Sequence, residues 1–449
     1  DPSVCAVLRR HSRFQSDGDE EILKSKVSLQ EIQHALALDY GFENWPALRQ
    51  QILPQEKPAA AEPTVSTESE SEHETLMRLL LEGLRERCSD IHFDPSEGHV
   101  RVRYRIDGVL YEKQSFPESR GKAVIQEAMR VAAMDPTRDL PQDGRAIVDV
   151  DGQSLALFVN AMEGVQGVIL TIRCIDHTRG PMRLDDLGFE VDQLDRYRKM
   201  INQPTGQVLV TGPTGCGKTT LLYATLEELN RRDRKIMTAE DPVEFVLNGI
   251  DQVQIHPERG LSFPRTLRNF LRQDPDVMMV AEIRDRETAE VLVQATLTGH
   301  MVFSTLHADD SPRALNRLID MGIEPFLLRD TVRGVIAPRL LRRVCPACRE
   351  EYPPSRQEWD GLGVPEDKRG IPLARGRGCD QCHRTGYRGR TSAMSLMEVG
   401  PHLRDAIGHV DFEGLMAAAR EDGWRTLREV AIEKVLRGET TTKEVIRVT

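Results

Sequence analysis

The stretch from Gly212 to Thr219 limits the possible folds of this chain more than any other stretch. It fits the phosphate-loop pattern G-x-x-x-x-G-K-[ST]. A short run rich in β-branched residues, 207–211, precedes it, and apolar residues at helical spacing follow it from Leu221 to Leu229. The pattern is specific when a strand, a glycine-rich loop and a helix occur in this order. We therefore expect a phosphate-binding loop here, the alternative being a chance glycine-rich turn.

Each part of this loop has an expected role. The glycines allow the backbone to wrap a polyphosphate with its N–H groups pointing inward, and the helix N-terminus adds partial positive charge. Lys218 would reach the outer phosphates, and the Thr219 hydroxyl would ligate Mg²⁺. The residues predicted to bind the nucleotide are Gly212, Pro213, Thr214, Gly215, Cys216, Gly217, Lys218, Thr219 and Thr220.

Size and composition narrow the class of protein. The 449 residues suffice for about three domains. With 39% hydrophobic and 29% charged residues, the composition is typical of a soluble protein, and the chain lacks the run of about 18 apolar residues expected of a membrane-spanning helix. The net charge of −11 argues against a general nucleic-acid-binding protein, which would carry a basic surplus. The chain starts at Asp1 without methionine, which leaves open that its natural N-terminus lies upstream.

Composition and periodicity divide the chain into six segments. The second is rich in Pro, Ala, Glu, Ser and Thr and has little to bury, so we expect a disordered linker there. The fourth alternates strands with helices, as in an α/β domain. The segments are 1–53, a small helical module of unknown partner; 54–73, the linker; 74–183, an α+β domain with a short connection near 176–183; 184–340, the α/β core; 341–395, irregular and cysteine-bearing; and 396–449, helical.

The α+β segment contains several readable elements. Leucines from Leu76 to Leu84 lie at helical spacing, and Asp107-Gly108 predicts a tight hairpin turn. A helix near 121–133 and two strands near 145–173 complete the predicted domain. One further strand alternates apolar residues with arginines, which form either a solvated face or a surface that meets a nucleotide or a neighbouring subunit. These arginines are Arg101, Arg103 and Arg105.

Acidic and imidazole side chains follow three predicted strands of the core. Glu240 and Glu244 follow the first strand, Glu282 the second and His307 the third. Because the carboxyl ends of parallel strands meet at the ligand crevice, we expect these residues near the phosphate loop. Glu240 and Glu244 are candidates for contact with Mg²⁺-bound water or the γ-phosphate. Glu282 could orient the attacking water or hold Mg²⁺ through water, and His307 could sense the γ-phosphate; each could instead be a simple strand end.

Four of the eight cysteines form two C-x-x-C pairs. This spacing is typical of a metal site in a reducing compartment rather than of a disulfide framework, and the cytoplasm is the simplest location. Four thiolates suit a closed, tetrahedral, structural Zn²⁺ site, the alternative being two unrelated pairs. The predicted ligands are Cys345, Cys348, Cys379 and Cys382.

From about residue 74 to its end, the chain resembles the cytoplasmic ATPases of type II secretion and type IV pilus assembly. The family's motifs occur in the family's order, and the cysteine pairs favour the assembly or secretion branch over the pilus-retraction branch. The matching stretches are 89–93 and 103–110 in its second N-terminal domain, 212–219 as its Walker A motif, 240–244 as its aspartate box, 274–285 as its Walker B motif, 298–307 as its histidine box, and 385–390 beside its metal site.

The resemblance implies a RecA-like P-loop ATPase domain, preceded by a smaller PAS-like α+β domain and followed by a four-cysteine zinc subdomain and a helical C-terminus. It implies a homo-hexamer that uses ATP, Mg²⁺ and Zn²⁺ to move an inner-membrane platform protein. Such a hexamer would lie in the cytoplasm at the inner face of the inner membrane, attached only through its partners and binding no nucleic acid. Glu282 would be the catalytic acid, and Arg173 would project toward the nucleotide.

The chain departs from the family pattern at several positions. Residues 1–53 differ from the usual recruiting domain, and Cys216 stands where serine is usual. Phe158 occupies a position where an arginine is expected, so it is either a missing cation or a residue of the hydrophobic core. A slow or inactive nucleotide-binding regulator of the same fold therefore remains an alternative, and a nucleic-acid translocase is a third.

Overall fold

The computed structural model describes residues 34, 35, 38, 70–176, 180, 182–366, 369–409 and 411–449. The chain forms two compact units, 1–66 and 67–449. In the first unit only three residues are described, and all three are helical. Almost all of the predicted module 1–53 and of the predicted linker therefore lies outside the described residues, as does half of the predicted connection near 176–183. The account below concerns the second unit.

The second unit begins with helix α1 (Glu72–Arg85). Ser71 accepts a hydrogen bond from the Glu74 N–H while the Glu74 carboxyl accepts one from the Ser71 N–H, so a capping box starts the helix. The helix therefore begins inside the range predicted as linker. Its apolar stripe is buried as predicted, with Leu76, Leu79 and Leu80 almost inaccessible to solvent.

The α+β domain contains one antiparallel sheet of six strands in the order β3-β2-β1-β6-β5-β4. Helices α1 and α2 (Glu118–Val131) cover one face and form a single core with it. The prediction of two strands near 145–173 is wrong, because turns at Asp151-Gly152 and 165–166 fold this stretch into three strands. The strands are β1 (Cys88–Ser96), β2 (His99–Ile106), β3 (Val109–Pro117), β4 (Gln142–Val150), β5 (Gln153–Gly164) and β6 (Gly167–Asp176).

The predicted hairpin at Asp107-Gly108 is confirmed. Ile106 pairs with Val109, and both turn residues have positive φ, 48° and 85°. Two left-handed residues match the twist of the strands that they connect. The Asp107 carboxylate then reaches the large domain, where it accepts a 2.8 Å hydrogen bond from the Gly389 N–H.

The large domain is built on a mixed sheet of seven strands in the order β15-β12-β7-β11-β10-β8-β9. Strand β15 alone runs antiparallel within the sheet. Its strands are β7 (Gly206–Thr211), β8 (Ile236–Glu240), β9 (Asp251–Gln254), β10 (Val277–Val280), β11 (Met301–Leu306), β12 (Val332–Val344) and β15 (Tyr387–Glu398). Packed around it are α3 (Val191–Ile201), α4 (Lys218–Leu229), α5 (Phe263–Phe270), α6 (Arg286–Leu297), α7 (Ser311–Asp320) and α8 (Pro325–Thr331).

The segment 341–395 is less irregular than predicted. Strand β12 continues past the predicted boundary at 340, and β15 continues past the predicted boundary at 395, because the two strands pair with each other along almost their whole length. Between them lie a two-stranded sheet, β13 (Arg349–Tyr352) with β14 (Leu373–Gly376), and helix α9 (Arg356–Leu362). The two ends of the cysteine-bearing segment therefore belong to the central sheet.

The C-terminal segment is helical, as predicted. Its last helix starts at Thr441, whose hydroxyl accepts a hydrogen bond from the Glu444 N–H. The buried Glu444 carboxylate does not complete a capping box with the Thr441 N–H and instead binds Arg342 and Arg447. In the described part of the chain, no helix has the length and apolar character needed to cross a membrane. The helices are α10 (Pro401–Ala406), α11 (Phe412–Glu421), α12 (Leu427–Leu436) and α13 (Thr442–Val448).

Candidate active site

The phosphate loop connects the fully buried strand β7 to helix α4. Gly215 and Gly217 adopt positive φ, 76° and 104°, which L side chains rarely adopt. At Gly212 an added Cβ would lie 2.4 Å from an Arg339 nitrogen and 2.7 Å from the Cys216 sulfur, so only glycine fits. No side chain caps α4, which leaves N–H groups of its first turn available to an anion.

Two side chains of this loop have altered acidity. The Lys218 Nζ donates hydrogen bonds to the Gly212 and Pro213 carbonyls, 2.7 and 3.0 Å away. Burial lowers the pKa of Lys218, and the nearby charge of Glu282 opposes that change. Burial also raises the pKa of the Cys216 thiol, so at neutral pH the thiol stays protonated and resembles a neutral serine.

Four neighbouring parallel strands end at the edge that carries this loop. They are β7, β11, β10 and β8, and the candidate residues Glu240, Glu282 and His307 lie at or just after the ends of three of them. The structure brings Glu282 and His307 together, with the Glu282 Oε1 atom 2.8 Å from the His307 Nε2 atom. The second Glu282 oxygen accepts a 2.8 Å hydrogen bond from Arg284.

Glu240 differs from the expectation that it contacts the nucleotide or its metal. Its side chain is 1% exposed, and both of its oxygens are already hydrogen-bonded. One accepts from the Tyr223 hydroxyl, and the other accepts from Thr238 and Gln252 at 2.5 and 3.0 Å. Glu240 therefore does not line the site. It lies in the interior, where it binds Tyr223, Thr238 and Gln252.

The acidity of Glu244 depends on residues of both domains. Burial raises the pKa of Glu244, while the positive charge of Arg173 and the side chain of Thr219 lower it. Arg173, Thr219 and Glu244 are far apart in sequence, yet they are near enough in the structure to influence one another. Arg173 is also held by Asp90, whose carboxylate lies 3.1 Å from its Nε atom.

Phe158 is next to Arg173 on the outer face of the six-stranded sheet. In register it pairs with Arg173 on one side and Arg145 on the other. The Arg145 guanidinium lies 5.0 Å from the centroid of the Phe158 ring. The interpretation of Phe158 as a core residue is wrong, because Leu157 and Val159 point into the core and the alternation of a strand turns Phe158 outward.

Sequence reasoning missed two residues of the site. Arg339 lies beside Gly212 and donates a 2.6 Å hydrogen bond to the Asp309 carbonyl, two residues after His307. Tyr223 lies one turn after Thr219 and binds Glu240. Neither contact leaves a local signal, because both join elements that are distant in sequence.

The four predicted zinc ligands form a compact cluster. Their sulfur atoms all lie within 4.8 Å of one another, and the hydrogen-bonded pairs are separated by 3.7 to 3.9 Å. A tetrahedron with metal–sulfur bonds of about 2.3 Å has edges of about 3.8 Å. N–H groups of Cys379 and Gly386 donate to the Cys382 sulfur and outweigh the effect of its burial, so the pKa of this thiol is lowered. The cluster therefore has the size that a tetrahedral metal requires.

A family model and two similar relatives both point to proteins of type II secretion and type IV pilus assembly. The family model described as "Type II/IV secretion system protein" matches residues 66–447. The chain is 43% identical to type II secretion system protein E of Pseudomonas aeruginosa, over 83% of this chain and 74% of that protein. It is 42% identical to the type IV pilus assembly ATPase PilB of Myxococcus xanthus, over 82% of this chain and 66% of that protein.

A solved structure resembles the fold. The Legionella pneumophila ATPase DotB matches with a TM-score of 0.62 at 22% identity, over 86% of this chain and 97% of that one. At this identity the likeness establishes the α/β fold with its mixed sheet.

Proposed function

Because the chain belongs to the type II/IV secretion system protein family, we propose that it is an ATP-hydrolysing motor that drives assembly of a type IV pilus or of a type II secretion pseudopilus. One observation carries the proposal: the phosphate loop and the Glu282–His307 pair lie at the ends of neighbouring parallel strands. The protein is an enzyme of the secretion and pilus-assembly ATPase class. We further propose that its core is RecA-like and that the six-stranded domain is PAS-like, since its first and last strands are adjacent at the centre of the sheet.

The loop residues 212–220 bind the phosphates of ATP in this proposal. The backbone N–H groups of the loop and of the first turn of α4 donate to the phosphate oxygens. Lys218 exchanges its two carbonyl partners for the outer phosphates, which a charged amine binds more strongly. Thr219 and Glu244 offer the oxygen ligands that suit Mg²⁺. When bound, Mg²⁺ neutralises the charge that develops on the transferred phosphoryl group.

Glu282 is the proposed catalytic carboxylate. A hydrogen bond from Arg284 and the 2.8 Å contact with His307 hold its carboxylate, so its orientation is set before the substrate arrives. It orients the attacking water and accepts its proton, and His307 senses the γ-phosphate. Arg173, in the α+β domain, lowers the pKa of Glu244, which supports the proposal that ATP binds between the two domains.

The remaining assignments concern assembly and location. We propose a homo-hexamer in the cytoplasm, at the inner face of the inner membrane, where it moves a membrane platform protein and binds no nucleic acid. The four cysteines would hold one structural Zn²⁺, since their spacing fits a tetrahedral ion.

Steady-state ATP turnover by the purified hexameric fraction tests this function. We expect turnover that increases when the inner-membrane platform protein is added. ATP binding without turnover would instead favour the regulatory alternative. Turnover stimulated by DNA, and not by the platform protein, would favour a translocase.

A further inference from the structure

Helix α4 holds Glu244 through Tyr223. Thr219 and Tyr223 are four residues apart, so their side chains lie on the same face of the helix. The Glu244 N–H donates a 3.2 Å hydrogen bond to the Tyr223 hydroxyl, and the Thr219 side chain is near enough to the Glu244 carboxyl to lower its pKa. The backbone of Glu244 is thus attached to the helix that begins at the phosphate loop.

Glu240 orients the Tyr223 hydroxyl. Tyr223 and Glu240 are 2% and 1% exposed, and the tyrosine hydroxyl donates a hydrogen bond to the Glu240 Oε2 atom. An ionised carboxylate can only accept, so the hydroxyl hydrogen points to Glu240 and a lone pair remains for the Glu244 N–H. Thr238 and Gln252 hold the other oxygen of the carboxylate, which fixes its direction.

Other contacts hold the 241–247 loop from the opposite side. The Val243 N–H donates to Gln254 at 2.9 Å, and the Leu247 N–H donates to Gln252 at 2.6 Å. Both glutamines belong to the edge strand β9. The two glutamines attach Val243 and Leu247 to the sheet, whereas Tyr223 attaches Glu244 to helix α4.

We propose that Tyr223 is a positioning residue that holds Glu244 beside Thr219, so that the Glu244 carboxylate and the Thr219 hydroxyl would be available to hold the Mg²⁺ of a bound nucleotide. The inference rests on the proposed function. Glu240 then acts through Tyr223 and does not touch the nucleotide. Residues that orient metal ligands without touching the metal typically change metal affinity by about 10- to 100-fold when they are removed.

Substitution Tyr223→Phe tests the proposal, and Tyr197→Phe is its matched control. The Tyr197 ring is fully buried, and its hydroxyl lies 2.6 Å from the hydroxyl of Thr225, also on α4. Each variant removes one buried tyrosine hydroxyl that bonds to or from helix α4. Tyr197→Phe loses one hydrogen bond, whereas Tyr223→Phe loses those with Glu240 and Glu244, and of the two tyrosines only Tyr223 contacts the 241–247 loop. Loss of stability from a missing buried hydroxyl would appear in both variants, whereas a changed response to Mg²⁺ should appear only in Tyr223→Phe.

ATP affinity measured by calorimetry with Mg²⁺ and with EDTA gives the decisive comparison. In Tyr223→Phe we expect the Mg²⁺-dependent gain in affinity to fall about tenfold, while affinity in EDTA stays within about twofold of wild type. The Mg²⁺ concentration for half-maximal turnover should rise in parallel. Tyr197→Phe should match wild type in all three measurements, and equal behaviour of the two variants overturns the proposal.

A second variant keeps the test decisive if Tyr223→Phe does not fold. The double substitution Tyr223→Phe/Glu240→Gln also removes the buried charge that has lost its donor, so it should fold and show the same weak response to Mg²⁺. A normal response in the double variant overturns the proposal. If wild type binds Mg²⁺ and ATP without hydrolysis, only the proposed function fails, because the binding comparison still stands. If wild type does not bind ATP, both fail.

Discussion

The His307 Nε2 atom lies 2.8 Å from the Glu282 Oε1 atom, and this contact joins the ends of strands β10 and β11. The two strands are neighbours in the sheet, so this contact links the loop after one strand to the loop after the other. Thr305 reinforces the connection through a 2.6 Å hydrogen bond to the Ala281 carbonyl. The proposed catalytic carboxylate and the proposed sensor are therefore joined both directly and through the backbone that carries them.

Substitution Glu282→Gln should preserve ATP binding and slow turnover by about 100-fold or more. The amide keeps the shape and can still bind His307, but it cannot accept a proton from water. Calorimetry and steady-state turnover are the measurements. Glu290→Gln, at an exposed position of α6, is the control and should leave both unchanged. Loss of affinity with normal turnover per bound ATP would contradict the role of Glu282.

Substitution Lys218→Ala should weaken ATP binding by at least about tenfold, because hydrogen bonds to a charged group contribute about 1.5–3 kcal/mol. Calorimetry measures the loss. Lys122→Ala removes an exposed lysine of the α+β domain and should leave the affinity unchanged. Equal affinity of wild type and Lys218→Ala would sink the assignment of the phosphate loop.

Elemental analysis should find one zinc per chain. Cys345→Ser should release the metal and lower the midpoint of thermal unfolding, because a structural zinc site contributes folding energy directly. Cys174→Ser, in the α+β domain, should keep the metal. A metal-free wild-type protein with full thermal stability would falsify the zinc assignment.

Substitution Phe158→Arg should raise ATP turnover. Phe158 lies on the same outer face as Arg173, so a guanidinium there can add positive charge toward the phosphates without being buried in the core. Phe158→Leu, which removes the ring that supports Arg145 and adds no charge, should not raise turnover. If the arginine variant folds and its turnover does not rise, Phe158 does not stand in place of a catalytic cation.

Substitution Glu444→Gln should destabilise the protein in a pH-dependent way. Burial would raise the pKa of Glu444, but hydrogen bonds from Arg447 and Arg342 outweigh it and lower the pKa below its ordinary 4.5. A lowered pKa stabilises the fold above about pH 4.5, and this contribution is lost as the pH falls through the lowered value.

At pH 7 removing one partner of such a buried pair should cost about 3–5 kcal/mol. Thermal unfolding of wild type and variant from pH 7 down to pH 4 should show the gap closing toward the acid end. Glu413→Gln, at an exposed position of α11, should show no gap at any pH. A gap of constant size would contradict the assigned role of the ionised carboxylate.

Local signals in the sequence predicted the elements that depend on neighbouring residues. Three such elements each depend on a stretch of fewer than about fifteen residues: the leucine stripe of α1, the Asp107-Gly108 turn and the phosphate loop. Long-range pairing escaped prediction. Nothing near Tyr387 indicates that its strand pairs with β12, because that contact depends on residues more than thirty positions earlier.

The choice between Glu240 and Glu244 shows the same limit inside the site. Both follow the same strand, and periodicity cannot tell which carboxylate faces the nucleotide. Tyr223, Thr238 and Gln252 decide it by binding Glu240 in the interior. Phe158 is similar, since its apolar neighbours suggested a core position, whereas the register beside Arg173 turns it outward.

The pairing of β12 with β15 has a consequence for the architecture of related chains. Val344 and Tyr387 face each other in register, so the polypeptide leaves the central sheet at one point and returns to it at the adjacent point. Everything from 345 to 386, including the cysteines, is therefore an insertion at the tip of a hairpin. Such an insertion can be lengthened, shortened or exchanged for a tight turn without altering the register of the strands that carry the catalytic loops.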